Sequence, residues 1–391
     1  MSQPELSLYV HLPWCVRKCP YCDFNSHQLK SAAPDGSYID ALIRDFDMEL
    51  PRAVGRRIGT VFFGGGTPSL FQPEDFSRLL QALRRRIAFA DDAEITLEAN
   101  PGTIERGRFS GYRDAGINRV SLGAQTFGSR ALERLGRIHS AEDTHRAVAE
   151  LRAAGLDNFN LDLMYALPGQ SQDEAVEDVR IACALEPAHI SYYQLTLEPG
   201  TAFHARPPQL PDEDAAWAIQ TAGQALLAEA GYVQYEVSAY ARQAMRCRHN
   251  LNYWLFGDYL GLGAGAHGKL TLDLPQRILR TVKPKQPREY QEQIRGAGLK
   301  AEGEGRAAPI GESAFIAPAD LPFEFMLNSL RLNEGFTVGD YRLRTGLEID
   351  SVAPKLAEAC GRGLLESRDD GWHPTELGRR FLNDLQLSFL A

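Results

Sequence analysis

The sequence is poor in long apolar runs. No stretch of about 18 uninterrupted apolar residues occurs in its 391 residues, so no membrane-spanning helix is expected. It also lacks an excess of positive charge: 42 Lys and Arg stand against 51 Asp and Glu, a net charge of −9. That balance argues against broad electrostatic attraction to nucleic acid or to an anionic membrane, and leaves room only for a local basic patch. The first residues, Met1 to Ser7, carry neither the basic cluster nor the apolar core of a signal peptide. Cysteine is scarce. Of six, Cys183, Cys247 and Cys360 are scattered, while Cys15, Cys19 and Cys22 lie together. This is no disulfide framework, and it points to a reducing compartment. A soluble, cytoplasmic protein is expected, long enough for one large domain and a smaller one.

What is present is an alternation. Short apolar runs (6–10, 60–63, 94–99, 119–124, 158–164 and 189–195) alternate with amphipathic segments (38–50, 73–86, 104–115, 141–154, 173–185 and 212–230). Strands alternating with helices predict a parallel sheet with right-handed crossovers. Six such units predict an α/β fold, a partial (β/α)6 barrel over residues 1–235. The polar and glycine punctuation falls after the strands, at the end where barrels of this kind carry their sites.

The cysteines follow the first strand, at C-x3-C-x2-C spacing. Thiolates are soft ligands that favour iron–sulfur, zinc or copper(I) centres. Zinc would need a fourth ligand such as His11 or His27, and the uneven spacing suits paired zinc hooks poorly. Three cysteines on a four-iron cluster leave one iron open to a chelating amino and carboxylate pair, the logic of an S-adenosylmethionine (SAM) site.

The motif resembles that of the radical SAM superfamily. Its flank, Tyr9-Val10-His11-Leu12-Pro13-Trp14-Cys15, resembles the oxygen-independent coproporphyrinogen III oxidase-like family, whose HemW branch consists of heme chaperones. The resemblance implies a [4Fe-4S] cluster on Cys15, Cys19 and Cys22, with SAM beside it. It implies that Gly65, Gly66 and Thr67, in the glycine run after the second strand, contact the methionyl end of SAM. Tyr9, Tyr21, Glu98, Gln125, Arg137 and Asp162 match the family's remaining SAM contacts. The residues alone allow another account of the last two, a buried Arg137–Asp162 pair, since a carboxylate inside an apolar strand needs a partner.

Beyond residue 235 the pattern changes. The segment 236–312 contains Cys247-Arg248-His249-Asn250-Leu251-Asn252-Tyr253-Trp254. Its histidine, amides and flat rings are what a porphyrin requires, although a packed turn with a satisfied histidine is the simpler reading of the residues. The resemblance reverses that weighting: this motif is a hallmark of HemW-like proteins and is linked there to heme. His249 is the first candidate for the axial ligand, with Cys247 and His267 behind it. Gly263-x-Gly265-x-x-Gly268 formally matches a dinucleotide fingerprint, but no strand is expected before it and no acidic partner follows. The stretch 283–312 reads as a surface connection with at most one short helix. Residues 313–391 predict helices and a small hairpin, a winged-helix-like unit. Its candidate recognition helix, 350–360, carries one Lys and no Arg, too few cations for a DNA contact. A lid or protein-docking role is expected instead.

One departure separates two functions. The oxidase pattern has a further cysteine two positions past the third, and this chain has Phe24 there. The chain also begins close to the motif, where the oxidases carry a longer arm. Both features favour a heme chaperone over porphyrinogen decarboxylation, and leave open whether SAM is turned over. The expected partners are heme and apo-hemoproteins. The resemblance points to respiratory enzymes at the inner membrane as recipients and leaves the oligomeric state undecided.

Overall fold

The computed structural model describes residues 6–29, 36–103, 108–273, 277–301 and 310–390. Six strands, β1 (Leu6–Leu12), β2 (Arg57–Gly65), β3 (Ala88–Ala99), β4 (Arg119–Gln125), β5 (Phe159–Tyr165) and β6 (His189–Gln194), lie side by side in chain order, all parallel. They alternate with α1 (Ser37–Glu49), α2 (Pro73–Arg84), α3 (Arg108–Ala115), α4 (Ala141–Ala153), α5 (Gln172–Ala184) and α6 (Glu213–Glu229). This is the partial (β/α)6 barrel that the alternation predicts. The first four residues of the expected third helix, 104–107, lie outside the described residues.

The elements form for local reasons. Parallel strands covered on both faces read as nearly continuous apolar runs, and Leu8, Val10, Val61, Phe63, Leu97, Leu122, Leu161 and Ile190 meet in one core. The helices start where side chains satisfy their free N–H groups. Ser140 with Asp143 opens α4 and Ser171 with Glu174 opens α5, each as a reciprocal box, and Asp212 caps α6.

The sheet continues past the barrel on both edges. Strands β7 (Val233–Glu236) and β8 (Ala239–Ala241) add antiparallel beyond β6. After α7 (Arg248–Trp254), strand β9 (Tyr259–Leu262) joins the free edge of β1 in parallel, followed by β10 (His267–Asp273), β11 (Arg277–Val282), helix α8 (Pro287–Ala301) and β12 (Glu312–Phe315). The result is one twelve-stranded sheet, β12-β11-β10-β9-β1-β2-β3-β4-β5-β6-β8-β7.

Two expectations are corrected here. A strand, β9, does precede the Gly263–Gly268 run, but β10 rather than a helix follows it, so the dinucleotide fold remains absent. The stretch 283–312 holds a 15-residue helix, α8, because Tyr290, Ile294 and Ala297 form a helical stripe that packs into the barrel core against α1. Residues 302–309 of that stretch lie outside the described residues.

The C-terminal unit has helices α9 (Leu321–Ser329), α10 (Val338–Thr345) and α11 (Ala353–Gly361) and a hairpin of Leu365–Arg368 with Gly371–Pro374, to which Phe336–Thr337 adds a third strand. Its separate core gathers Phe325, Met326, Tyr341, Leu356 and Leu385, and takes in Phe256 and Ile278 from the sheet side. The chain ends in two short helical pieces, Glu376–Arg380 and Leu382–Leu387, broken at Phe381, whose φ of −111° and ψ of 42° are not helical. Lys355, the one cation of α11, donates to the Leu390 carbonyl at 2.7 Å. Among the described residues no helix is long and apolar enough to cross a membrane.

Candidate functional site

The cysteine loop leaves β1 and is fastened to the barrel by backbone hydrogen bonds. Gly66 N donates to Leu12 O, Thr67 N to Trp14 O, His27 N to Pro13 O and Leu29 N to Cys15 O, all at 2.6–2.9 Å. Cys15, Cys19 and Cys22 are free thiols, each half-buried. Burial raises the Cys15 and Cys22 thiols, and their neighbouring thiols raise them further. The three sulfurs are therefore close enough to feel one another. Thr67 Oγ1 donates to Cys15 Sγ at 3.5 Å, and Arg137 Nη1 lies 3.8 Å from Cys19 Sγ.

No group of three or more His, Cys, Asp or Glu side chains among the described residues is already drawn around one metal point. The donor chemistry nevertheless fits an iron–sulfur cluster: three soft thiols on one short loop, with a hydroxyl and a guanidinium turned toward the sulfurs.

The glycine run is held by close packing. A side chain at Gly66 would meet the backbone of Pro13 and Trp14 within 3 Å, and one at Gly65 would strike the His11 ring. Gly65 also has φ +114°, a conformation open to glycine. The run thus lets β2 press against the cysteine loop, while Gly65 still borders a cavity of about 770 Å³.

Of the polar residues at strand ends, Tyr9, Glu98 and Asp162 border one cavity of about 210 Å³ inside the barrel, with Arg119, His189 and His249. Thr67, Cys19 and Arg137 border a small crevice nearby. Tyr193 on β6 links the two groups, because Asp162, Tyr21, Arg137 and Glu98 all act on its hydroxyl. It also donates to Gln125 Oε1 at 2.7 Å. Gln125 ends β4 with φ +67°, a costly conformation for a side chain of that kind. Tyr193 and Arg119 were not singled out in the sequence. Their signal is a polar residue inside an apolar strand, the pattern that marks Asp162.

Arg137 does not pair with Asp162. Its Nη2 donates to Gly123 O at 2.9 Å and its buried Nε has no partner among the described residues. Asp162 accepts from Ser121 and Asn160 at 3.1 and 2.8 Å. Burial, and then the neighbouring Asp162 carboxylate, push Glu98 up to about 8, against the lowering effect of the Gly65 N–H. At neutral pH Glu98 is therefore mostly a neutral acid. Two buried carboxyls and a guanidinium with an unused N–H make a polar chamber suited to a ligand with a cationic and a carboxylate end.

His249 lies on α7, whose first turn is capped by Glu94. That carboxylate accepts from the N–H groups of Arg248 and His249 at 3.0 Å each. The His249 ring is buried, stacked 5.0 Å from Phe62. Thr60 Oγ1 donates to Ser7, so it receives the proton of His249 Nδ1 at 2.7 Å; Nε2 then accepts from the Tyr253 hydroxyl at 2.9 Å. Burial, with Arg119 nearby, holds this imidazole neutral, down to about 3. Both nitrogens are engaged. Cys247 is fully buried, its thiol pushed up to about 12 by burial. His267 is exposed on β10.

Comparison with known proteins decides the family. The radical SAM superfamily pattern matches residues 9–182, and the HemN C-terminal domain matches 316–381. Heme chaperone HemW of Escherichia coli is 49% identical over 99% of both chains. The chain belongs to the HemW family of radical SAM proteins. The family spreads widely: a HemW of Mycobacterium tuberculosis is 37% identical over 97% of this chain and 93% of its own. Among solved structures, the radical SAM enzyme coproporphyrinogen III oxidase (HemN) of Escherichia coli superposes with a TM-score of 0.81 over 100% of this chain and 91% of its own, at 24% identity. The HemW family and HemN thus share one fold.

Proposed function

We propose that this chain is a heme chaperone that binds heme and passes it to apo-hemoproteins, with a [4Fe-4S] cluster and SAM as resident groups. The observation that carries the reading is the full-length likeness to proteins named heme chaperone HemW. Within it, Cys15, Cys19 and Cys22 hold the cluster. Tyr9, Tyr21, Gly65, Gly66, Thr67, Glu98, Gln125, Arg137 and Asp162 surround SAM. When bound together, cluster and SAM supply reductive cleavage of the sulfonium. The chain's own part is to seat the ligand between buried carboxyls and Arg137. Residues 1–235 form the SAM-bearing part, 236–312 the cargo-binding part through α7 and β9–β11, and 313–391 a docking unit. Acting from the cytoplasm, the protein would meet respiratory heme enzymes at the inner membrane, a reading supported only by the resemblance.

The competing reading is porphyrinogen decarboxylation, favoured by the shared fold with HemN. Against it stands Phe24, exposed where the oxidase pattern has a cysteine. The anaerobically reconstituted protein, given SAM and coproporphyrinogen III, is expected to form no protoporphyrinogen. Formation at an enzymatic rate would overturn the chaperone-only reading.

Glu98 supplies a second test. A carboxyl raised to about 8 gives up its proton when a cation docks against it, so SAM binding near pH 7 should release about one proton. Calorimetry in buffers of different ionisation enthalpy measures this, and Glu98→Gln should abolish it. In the ligand-free protein the sign is also fixed. The contribution of Glu98 to stability is complete below its unfolded value of about 4.3 and is lost as pH rises through about 8.

A further inference from the structure

A cavity of about 770 Å³ lies beside the SAM chamber, sharing Tyr9, Glu98 and Tyr253 with it. It falls within the roughly 300–1,000 Å³ usual for cofactor-sized ligands. The 210 Å³ chamber bordered by His249 falls short of that range.

The far wall of the large cavity is built by β9–β11 and α7. On that side the flat apolar surfaces are Tyr253, Trp254, Phe256 and Tyr259 and the cations are Lys269, Arg280 and Lys285, while the cysteine loop brings Phe24 and Lys18 to the cavity. Strand pairing places Lys269 opposite Arg280, and His267 is two residues from Lys269, so His267, Lys269 and Arg280 share one face of the sheet. Lys269 is consumed by Asp258, at 2.9 Å, and by the Phe256 carbonyl. Arg280 is held by Tyr259 and Glu324. Lys285 is exposed and its ammonium has no hydrogen bond or ion pair among the described residues.

Three histidines border the cavity. His11 has both nitrogens engaged, by Tyr9 at 2.9 Å and by the Asn25 carbonyl at 2.8 Å. His27 Nε2 lies 3.3 Å from the Lys285 carbonyl. Only His267 presents an imidazole without a hydrogen-bond partner among the described residues. Burial, then the charges of Arg280 and Lys285, lower its affinity for a proton, so a neutral ring faces the cavity at pH 7.

We infer that heme sits in this cavity with His267 as its axial ligand, its ring against Tyr253 and Trp254, and its propionates toward Lys285 and Arg280. The inference rests on the heme-chaperone reading and names where the cargo goes. A ferric porphyrin is held by an axial donor for iron, such as an imidazole nitrogen, by aromatic faces for the macrocycle and by cations for its carboxylates. This wall supplies all three. His249 then acts one step back as a positioning residue, orienting the Tyr253 hydroxyl, which explains why a histidine with no free nitrogen stands in the motif.

The experiment titrates ferric heme into the full-length, cluster-loaded protein and into His267→Ala, His249→Ala and Lys285→Glu, with the cluster absorption as the folding control. The wild-type chain is expected to give a bound Soret band. In His267→Ala the band should shift toward that of free heme and the affinity fall about tenfold or more, a loss of about 1.4 kcal/mol per decade, with the band restored by added imidazole. Lys285→Glu should weaken binding without changing the ligand-field bands, and His249→Ala should keep them. An unchanged spectrum in His267→Ala overturns the assignment, as does loss of the bands in His249→Ala with imidazole rescue there. Failure of the wild-type chain to bind heme would instead overturn the chaperone reading.

Discussion

Replacing Cys15, Cys19 or Cys22 singly with alanine is expected to remove essentially all cluster iron and acid-labile sulfide while leaving the protein folded. The two halves of that expectation have separate causes. Loss follows because a compact cluster on one short loop has no spare protein ligand within reach. Among the other thiols, Cys247 is sealed in the core and hydrogen-bonds to Glu94 at 3.6 Å, and Cys183 and Cys360 lie on α5 and α11. Persistence of the fold follows because the loop is anchored by main-chain hydrogen bonds to Leu12, Pro13, Trp14 and Cys15, none of which involves a thiol. Iron and sulfide analysis with circular dichroism measures both. Cys183→Ala and Cys360→Ala are the controls and should keep full iron. Retention of full iron in any one of the three loop variants would count against the cluster assignment.

The barrel was legible because its strands are buried on both faces. Runs such as Leu6–Leu12 and Arg119–Gln125 have few polar interruptions, and Ser140, Ser171 and Asp212 announce the helices that pack on them. Strands β9–β12 escaped notice for the opposite reason. They are short, several carry polar residues at alternate positions, and the glycine-rich turn after β9 resembles a connection. Helix α8 was hidden by its Gln, Gly and Arg, although its apolar positions keep helical spacing. At the site, Glu98 and Gln125 could be found as polar residues closing strands and Asp162 as one inside a strand, while Arg137, between β4 and β5, could be found through the family pattern. His249 could be found as a motif, but what engages it could not: Thr60 is 189 residues away in the chain. Tertiary context likewise separates His249 from His267, since only the fold shows which ring nitrogens are already taken.

Lys283→Ala is expected to destabilise the protein by about 3–5 kcal/mol. The Lys283 ammonium lies 2.6 Å from Asp45 Oδ1 and 2.8 Å from Glu49 Oε1, with all three side chains almost fully buried. Burial works against its charge, but the two carboxylates prevail and raise its proton affinity. The other oxygen of Asp45 accepts from the Tyr290 hydroxyl at 2.8 Å and from Gly263 N at 3.3 Å. One ion cluster therefore ties α1 of the barrel to the end of β11, to α8 and to the turn after β9. Removing the ammonium strands the buried Asp45 carboxylate beside Glu49, which itself keeps Arg52, and this is costlier than removing both charges of the Lys283–Asp45 pair. The double variant Lys283→Met, Asp45→Asn should accordingly recover much of the loss in denaturant midpoint. The single variant's deficit should also shrink as pH falls, because a stranded carboxyl relieves its own penalty by taking up a proton. A deficit independent of pH, or a double variant no better than the single one, would mean that lost packing rather than stranded charge sets the cost. Hydrogen exchange distinguishes local from global loosening: the β9–β11 amides should lose protection first, since this cluster is what pins them to α1. Those strands carry His267, Lys269 and Arg280, so the same substitution should weaken heme binding.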